Sequence, residues 1–145
     1  MQFLGKLDQT VVIDDYGHHP TEIKNTILTL RESFPQSEIT MVFQPHRFTR
    51  TKDLYKEFVE VLKSAERLIL LEIYSAGEEA IDGISSTTLL ESIKNTGFAD
   101  VFLAQSNAQA DELIESIISK QKGVLLIQGA GNISEISDKL SQKIK

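Results

Sequence analysis

The sequence predicts an α/β fold: three layers, with a doubly wound, mostly parallel sheet of about six strands and helices on both faces. Short β-branched apolar runs alternate with amphipathic segments along the whole chain. Several of these runs are almost wholly apolar, as strands covered on both faces must be. Pro, Gly and capping residues punctuate the transitions, where helix starts and stops are written.

Val11-Val12-Ile13 is the first such strand and ends in Asp14-Asp15. Pro20 stands where a first helical residue would, followed by Ile23, Ile27, Leu28 and Leu30 at helical spacing until Pro35. Ile39 to Phe43 is the next strand, and Leu54, Phe58, Val61 and Leu62 mark an amphipathic helix from about Thr51 to Ala65. Leu68 to Tyr74 is a third strand, followed by an irregular segment from Ser75 to Ser86. A helix from Thr87 to Asn95 is closed by Gly97. Val101-Phe102-Leu103 is a fourth strand, and Ser106-Asn107 caps a helix to about Ser119, with Gln109 at the capping-box position. Val124 to Gln128 is the fifth strand. Gly129 to Asn132 turns into a last helix from Ile133 to about Ile144, and Phe3-Leu4 adds a sixth, edge strand. The arrangement is Rossmann-like, and residues 1–145 are expected to form one domain without a linker or repeat.

Composition narrows the function classes. The chain has 145 residues, 41% of them hydrophobic, and a net charge of −6 that argues against broad nucleic-acid binding. The absence of cysteine excludes disulfides, zinc–thiolate sites and cysteine nucleophiles. No apolar run is long enough for a membrane span and no leader opens the chain, so a cytoplasmic protein is expected.

Four unusual segments follow strands: Asp14–His19, Gln44–Arg50, Tyr74–Glu79 and Gly129–Asn132. In an open parallel sheet they share the carboxyl edge, where ligands bind. Arg47 and Arg50 lie three apart, and two fork-shaped cations on one turn suit a carboxylate or phosphate. Asp14 and Asp15 read equally well as loop carboxylates. His19 before Pro20 reads as a helix cap, whereas His18 has no such explanation. The histidines lack metal-site spacing, so no metal site is expected. Gly129-Ala130-Gly131 begins like a dinucleotide loop, but Ser134 replaces the third glycine, so it reads as a tight turn. No G-x-x-x-x-G-K-[ST] phosphate loop occurs.

Val12–Glu22 and Phe43–Thr51 together resemble the C-terminal domain of the Mur ligase family, in the pattern of its alanine-adding member. Tyr74-Ser75-Ala76-Gly77-Glu78 and Gln128–Ile133 add matches in the same order, with Ser75 where proline is common. The resemblance implies an ATP- and Mg2+-dependent ligase of peptidoglycan synthesis. In that reaction the carboxylate of UDP-N-acetylmuramate becomes an acyl phosphate, which the amine of L-alanine attacks. It implies that Arg47 and Arg50 clamp the alanine carboxylate and that His18 lies beside the amine. It further implies Asp15 on the nucleotide ribose, Tyr16 against the nucleotide, and Gly129 and Gly131 as backbone of the cleft. The UDP-sugar and central ATPase domains are not matched, so the chain is expected to be inactive alone and to bind ATP or Mg2+ only weakly. Arg47 and Arg50 are expected not to be fully fixed without those domains. A stand-alone binding module for a nucleotide or acidic metabolite is the alternative, with a sugar-phosphate isomerase behind it.

Overall fold

The computed structural model describes residues 1–120 and 122–144. Its strands are β1 (Gln2–Leu7), β2 (Thr10–Asp15), β3 (Ile39–Gln44), β4 (Arg67–Leu71), β5 (Val101–Ala104) and β6 (Gly123–Gly129). Its helices are α1 (Pro20–Ser33), α2 (Phe48–Asp53), α3 (Tyr55–Leu62), α4 (Ser86–Asn95), α5 (Asn107–Lys120) and α6 (Ser134–Ile144). The strands form one sheet in the order β1-β2-β6-β3-β4-β5. Every pairing is parallel except that of β1 with β2.

Alternate residues of each central strand enter two separate cores, as the period of two requires. Ile13, Met41, Phe43, Leu68, Leu70 and Leu126 pack beneath α1, α3 and α4. Val12, Val42, Ile69, Leu71, Leu125 and Ile127 pack beneath α5 and α6. Both faces are therefore covered, which explains why the strand sequences run apolar without alternation.

The last strand in sequence, β6, lies at the centre, between β2 and β3. The helix after β6 covers one face, whereas α1 and α3, after β2 and β3, cover the other. The chain thus leaves adjacent strands in opposite directions, opening a crevice at their carboxyl ends. The four unusual segments sit there.

Three boundaries differ from expectation. The helix expected from Thr51 starts earlier, at Phe48, and breaks at Leu54 (φ −113°, ψ 25°) into α2 and α3. Leu54 still donates its N–H to Arg50 O at 3.0 Å and accepts from Phe58 N–H at 2.9 Å, so the break is a change of direction, not a loop. β4 ends at Leu71 instead of Tyr74, and Tyr74 keeps only an isolated parallel bridge to His46. The edge strand is longer than Phe3-Leu4, because a hairpin turn with Asp8 at φ 53° lets β1 pair with β2 from Thr10 to Asp14. No helix among the described residues is long and apolar enough to cross a membrane.

Candidate functional site

The turn after β2 spends most of its polar groups internally. Asp14 accepts a 2.6 Å hydrogen bond from Ser137 on α6, and burial pushes its carboxyl above the usual range. Asp15 Oδ2 accepts from Thr26 Oγ1 at 2.6 Å and from Gln128 Nε2 at 3.0 Å, while the amino group of Met1 lies 3.2 Å from Oδ1. Burial alone would raise the Asp15 carboxyl, but the bonds from Thr26 and Gln128, with the Met1 amino group, outweigh it and leave the group below its usual range. Gln128 Nε2 also donates to Gly17 O at 2.6 Å. A side chain at Gly17 would place its Cβ 2.8 Å from that nitrogen, so any larger residue would push the Gln128 amide from its place.

His19 is the N-cap of α1, as its position before Pro20 predicts. Its Nδ1 accepts from Thr21 N–H at 3.1 Å. Glu22 returns the contact, taking the N–H groups of His19 at 3.0 Å and His18 at 3.1 Å on one oxygen. Those two amides hold the Glu22 carboxyl below its usual range. The Tyr16 side chain, 68% exposed, lies outside this network of caps, and the His18 ring joins the turn through Nδ1, 3.3 Å from Tyr16 O.

The turn after β3 is built differently. Gln44 is buried at the end of its strand and serves both neighbouring turns. Its Nε2 donates to Asn132 Oδ1 at 2.7 Å and Glu72 O at 3.2 Å, and its Oε1 accepts from Ile133 N–H at 3.0 Å. Tyr74 N–H donates to Pro45 O and Arg47 N–H to Tyr74 O, both at 2.8 Å. That bridge fixes Arg47 at φ 76°, ψ 140°, a conformation few residues with a side chain adopt.

The rings then stack. His46 lies on Tyr74 with centroids 5.5 Å apart and planes 18° apart, and His18 approaches the His46 ring at 5.5 Å. Arg50 Nη1 donates to His46 O at 2.9 Å and lies 3.0 Å from His46 Nδ1. A guanidinium cannot accept, so Nδ1 must, and the imidazole proton sits on Nε2. Burial, then the Arg50 charge, then His18 hold the His46 pKa below its usual value.

The partners of Arg50 are thus a carbonyl and an imidazole instead of a carboxylate. Arg47 is the freer cation: its side chain is 45% exposed and its guanidinium stands 3.7 Å from Glu78. Gly131, at φ 117°, packs where a Cβ would lie 2.8 Å from Gln44 Oε1 and 2.8 Å from Tyr74 Cγ. Gly129 lies likewise against Gln44 O. The space these glycines leave is filled by the β3 turn and Tyr74.

All the residues expected at the site thus lie on one edge, and the structure adds Gln44, Gln128, Tyr74 and Glu78. The glutamines carried a signal: each ends an apolar strand with a polar residue, and both are buried. Gln128 Oε1 is buried without a hydrogen-bond partner. Among the described residues no three His, Asp or Glu side chains are grouped to hold a metal ion.

This geometry has known counterparts. Residues 1–131 match the family described as Mur ligase, glutamate ligase domain. The UDP-N-acetylmuramate–alanine ligase MurC of Thermotoga maritima is similar to 96% of this chain at 26% identity, with a TM-score of 0.70, over 28% of its own length. The murein peptide ligase of Psychrobacter arcticus matches 99% of the chain at 18% identity and a TM-score of 0.72, over 29% of its length. The MurF ligase of Thermotoga maritima, solved with ADP, matches 96% at 17% identity and a TM-score of 0.57, over 30% of its length. This chain thus spans less than a third of each of these ligases. On its sequence and its fold alike, the chain belongs to the Mur ligase family and is a C-terminal domain of that family.

Proposed function

We propose that this domain serves the alanine-adding ligase of peptidoglycan synthesis, receiving L-alanine and closing over the nucleotide. Mur ligases are ATP-dependent amide ligases, and this domain would act within such an enzyme. The observation that carries the proposal is Arg47: an exposed guanidinium on a strained, tightly bridged backbone at the carboxyl edge of the sheet. Strain of this kind costs about 1–3 kcal/mol and persists where the surroundings enforce it. It aims one cation, with most of its donors unspent, out of the fold. The match of Pro45 to Arg50 to the alanine-adding pattern, and the likeness to the alanine ligase, support L-alanine over other amino acids.

In this reading the alanine carboxylate pairs with Arg47, and Arg50 adds charge from its anchored place beside His46. His18 stands beside the amine. Asp15 would meet the ribose at Oδ1 by displacing the Met1 amino group, since Oδ2 is taken by Thr26 and Gln128. Tyr16 offers the nucleotide an exposed flat ring. Gly129 and Gly131 shape the cleft indirectly, by letting the last turn pack on Gln44 and Tyr74. These residues bind and orient; activation of the muramate carboxylate by ATP and Mg2+ falls to the rest of the enzyme, as does recognition of the UDP-sugar. Their contribution is the effective concentration of the amine at the acyl phosphate.

The test is Arg47→Ala in the intact ligase. The alanine KM should rise, or kcat/KM for alanine fall, while the ATP KM stays within about twofold, because the loss is confined to carboxylate binding. An unchanged alanine dependence would remove the clamp. Residues 1–145 alone should not consume ATP with UDP-N-acetylmuramate and L-alanine; turnover would refute the need for other domains.

A further inference from the structure

We infer that Glu78 is a positioning residue for the amino-acid clamp: it ties the loop after β4 to the start of α2 and thereby fixes where Arg47 points. This rests on the reading of Arg47 given above.

The contact is specific in its geometry. Glu78 Oε1 accepts from Thr49 N–H at 3.1 Å and Oε2 from Thr49 Oγ1 at 2.6 Å, so one carboxylate spans both groups of a single residue. The Arg47 guanidinium lies 3.7 Å from Oε2, too far for a hydrogen bond but close enough for the charge to act. Glu78 therefore orients Arg47 without consuming its donors, which stay available to a ligand carboxylate. The Thr49 hydroxyl, first among the causes, draws the Glu78 carboxyl below its usual range, so the group is charged at neutral pH.

The backbone on both sides of the contact is strained. The described residues with a side chain and positive φ are Asp8 in the β1–β2 hairpin, Arg47 and Ala76. Ala76, at φ 52°, and Gly77, at φ 86°, form the turn that delivers Glu78, closed by Glu78 N–H to Ser75 O at 3.0 Å. Arg47 forms the opposing turn. Two strained turns meeting through one carboxylate is a costly way to join loops whose backbones are already bridged at Tyr74 and Pro45. The added cost is explained if the position of the guanidinium is what the contact secures.

Two measurements test this. In residues 1–145, NMR of arginine side chains should show the Arg47 Nε–H ordered in the parent and mobile in Glu78→Ala, with Glu78→Gln in between because it keeps an oxygen for Thr49. In the intact ligase, Glu78→Ala should raise the amino-acid KM about five- to tenfold, the range of one lost positioning contact, with the ATP KM and Tm nearly unchanged. If Arg47 order is the same in all three proteins, the inference is overturned. It is also overturned if Glu78→Ala lowers the amino-acid KM, since Glu78 would then be a competitor for Arg47. If Arg47 loosens in Glu78→Ala but neither that variant nor Arg47→Ala alters the amino-acid KM, Glu78 still positions Arg47 and the clamp reading fails instead. A raised KM in Arg47→Ala with an unmoved one in Glu78→Ala leaves the clamp standing and overturns the role of Glu78.

Discussion

The turns after β2 and β3 leave adjacent ends of one crevice with similar cargo, yet they use it in opposite ways. After β2, Asp15, His19 and Glu22 are bound to Thr26, Gln128 and the first amides of α1, so their polar groups hold the fold together. After β3, the backbone carries the constraint through the Tyr74 bridge, and Arg47 is left exposed. Residue type alone does not separate a structural polar group from a ligand-binding one. What separates them is how much of each group's hydrogen-bonding capacity the fold has already used.

The sharpest way to break this contrast is to compare Arg47→Ala with Asp15→Ala. Arg47→Ala should lower kcat/KM for alanine about a hundredfold, the scale of a lost charge-assisted pair, with almost no change in Tm. Asp15→Ala should cost about 1–3 kcal/mol of stability, because it removes the carboxylate that joins α1 to β6 through Thr26 and Gln128 and leaves those groups only Glu22 O and Gly17 O. Denaturant unfolding of residues 1–145 measures both. If Arg47→Ala proves the more destabilising, the division of labour between the turns is wrong.

A smaller effect is expected from Thr26→Val, which keeps the side-chain shape and removes one donor to Asp15. It should cost about 1 kcal/mol and raise the Asp15 pKa, readable by carboxyl NMR titration. An unmoved pKa would mean that Gln128 and the Met1 amino group set the carboxylate without Thr26.

The smallest effects are in the pH dependence of stability, where the two turns occupy separate windows. Asp15 has a folded pKa below 3.8, so its stabilisation is complete above that value and is lost as pH falls through the folded pKa. His46 has a folded pKa below 6.5, so the unfolded chain takes up the proton first; stability therefore falls as pH drops from 6.5 toward the folded pKa, and is unaffected above 6.5. His46→Asn should flatten the upper window and leave the lower one. Protonating His46 would also remove the acceptor facing Arg50, so Arg50 side-chain order should decline over the same upper range.

Much of this was legible in the chain because it is local. Apolar runs of strand length, Pro20 at a helix start, Gly97 after a helix end and His19 as a cap are each set by residues within a few positions. The break at Leu54 was not legible, since Leu54, Phe58, Val61 and Leu62 fit one continuous apolar stripe. The early start at Phe48 was not legible either, since it follows Arg47, whose backbone is bridged to Tyr74 far along the chain. The early end of β4 has the same origin: Tyr74 leaves the ladder to bridge the loop after β3.

The sequence by itself determined the element order, the two-sided burial of the sheet and the gathering of the four segments on one edge, because periodicity and the rules of parallel sheets suffice for these. Only the tertiary structure decided which of the gathered groups remain free. Placing β6 between β2 and β3 brings Gln128 to Asp15 and Gln44 to the last turn, while the Tyr74 bridge turns Arg47 outward. The physical reason is that hydrogen-bond capacity is spent between residues distant in sequence, and only the folded chain fixes who meets whom.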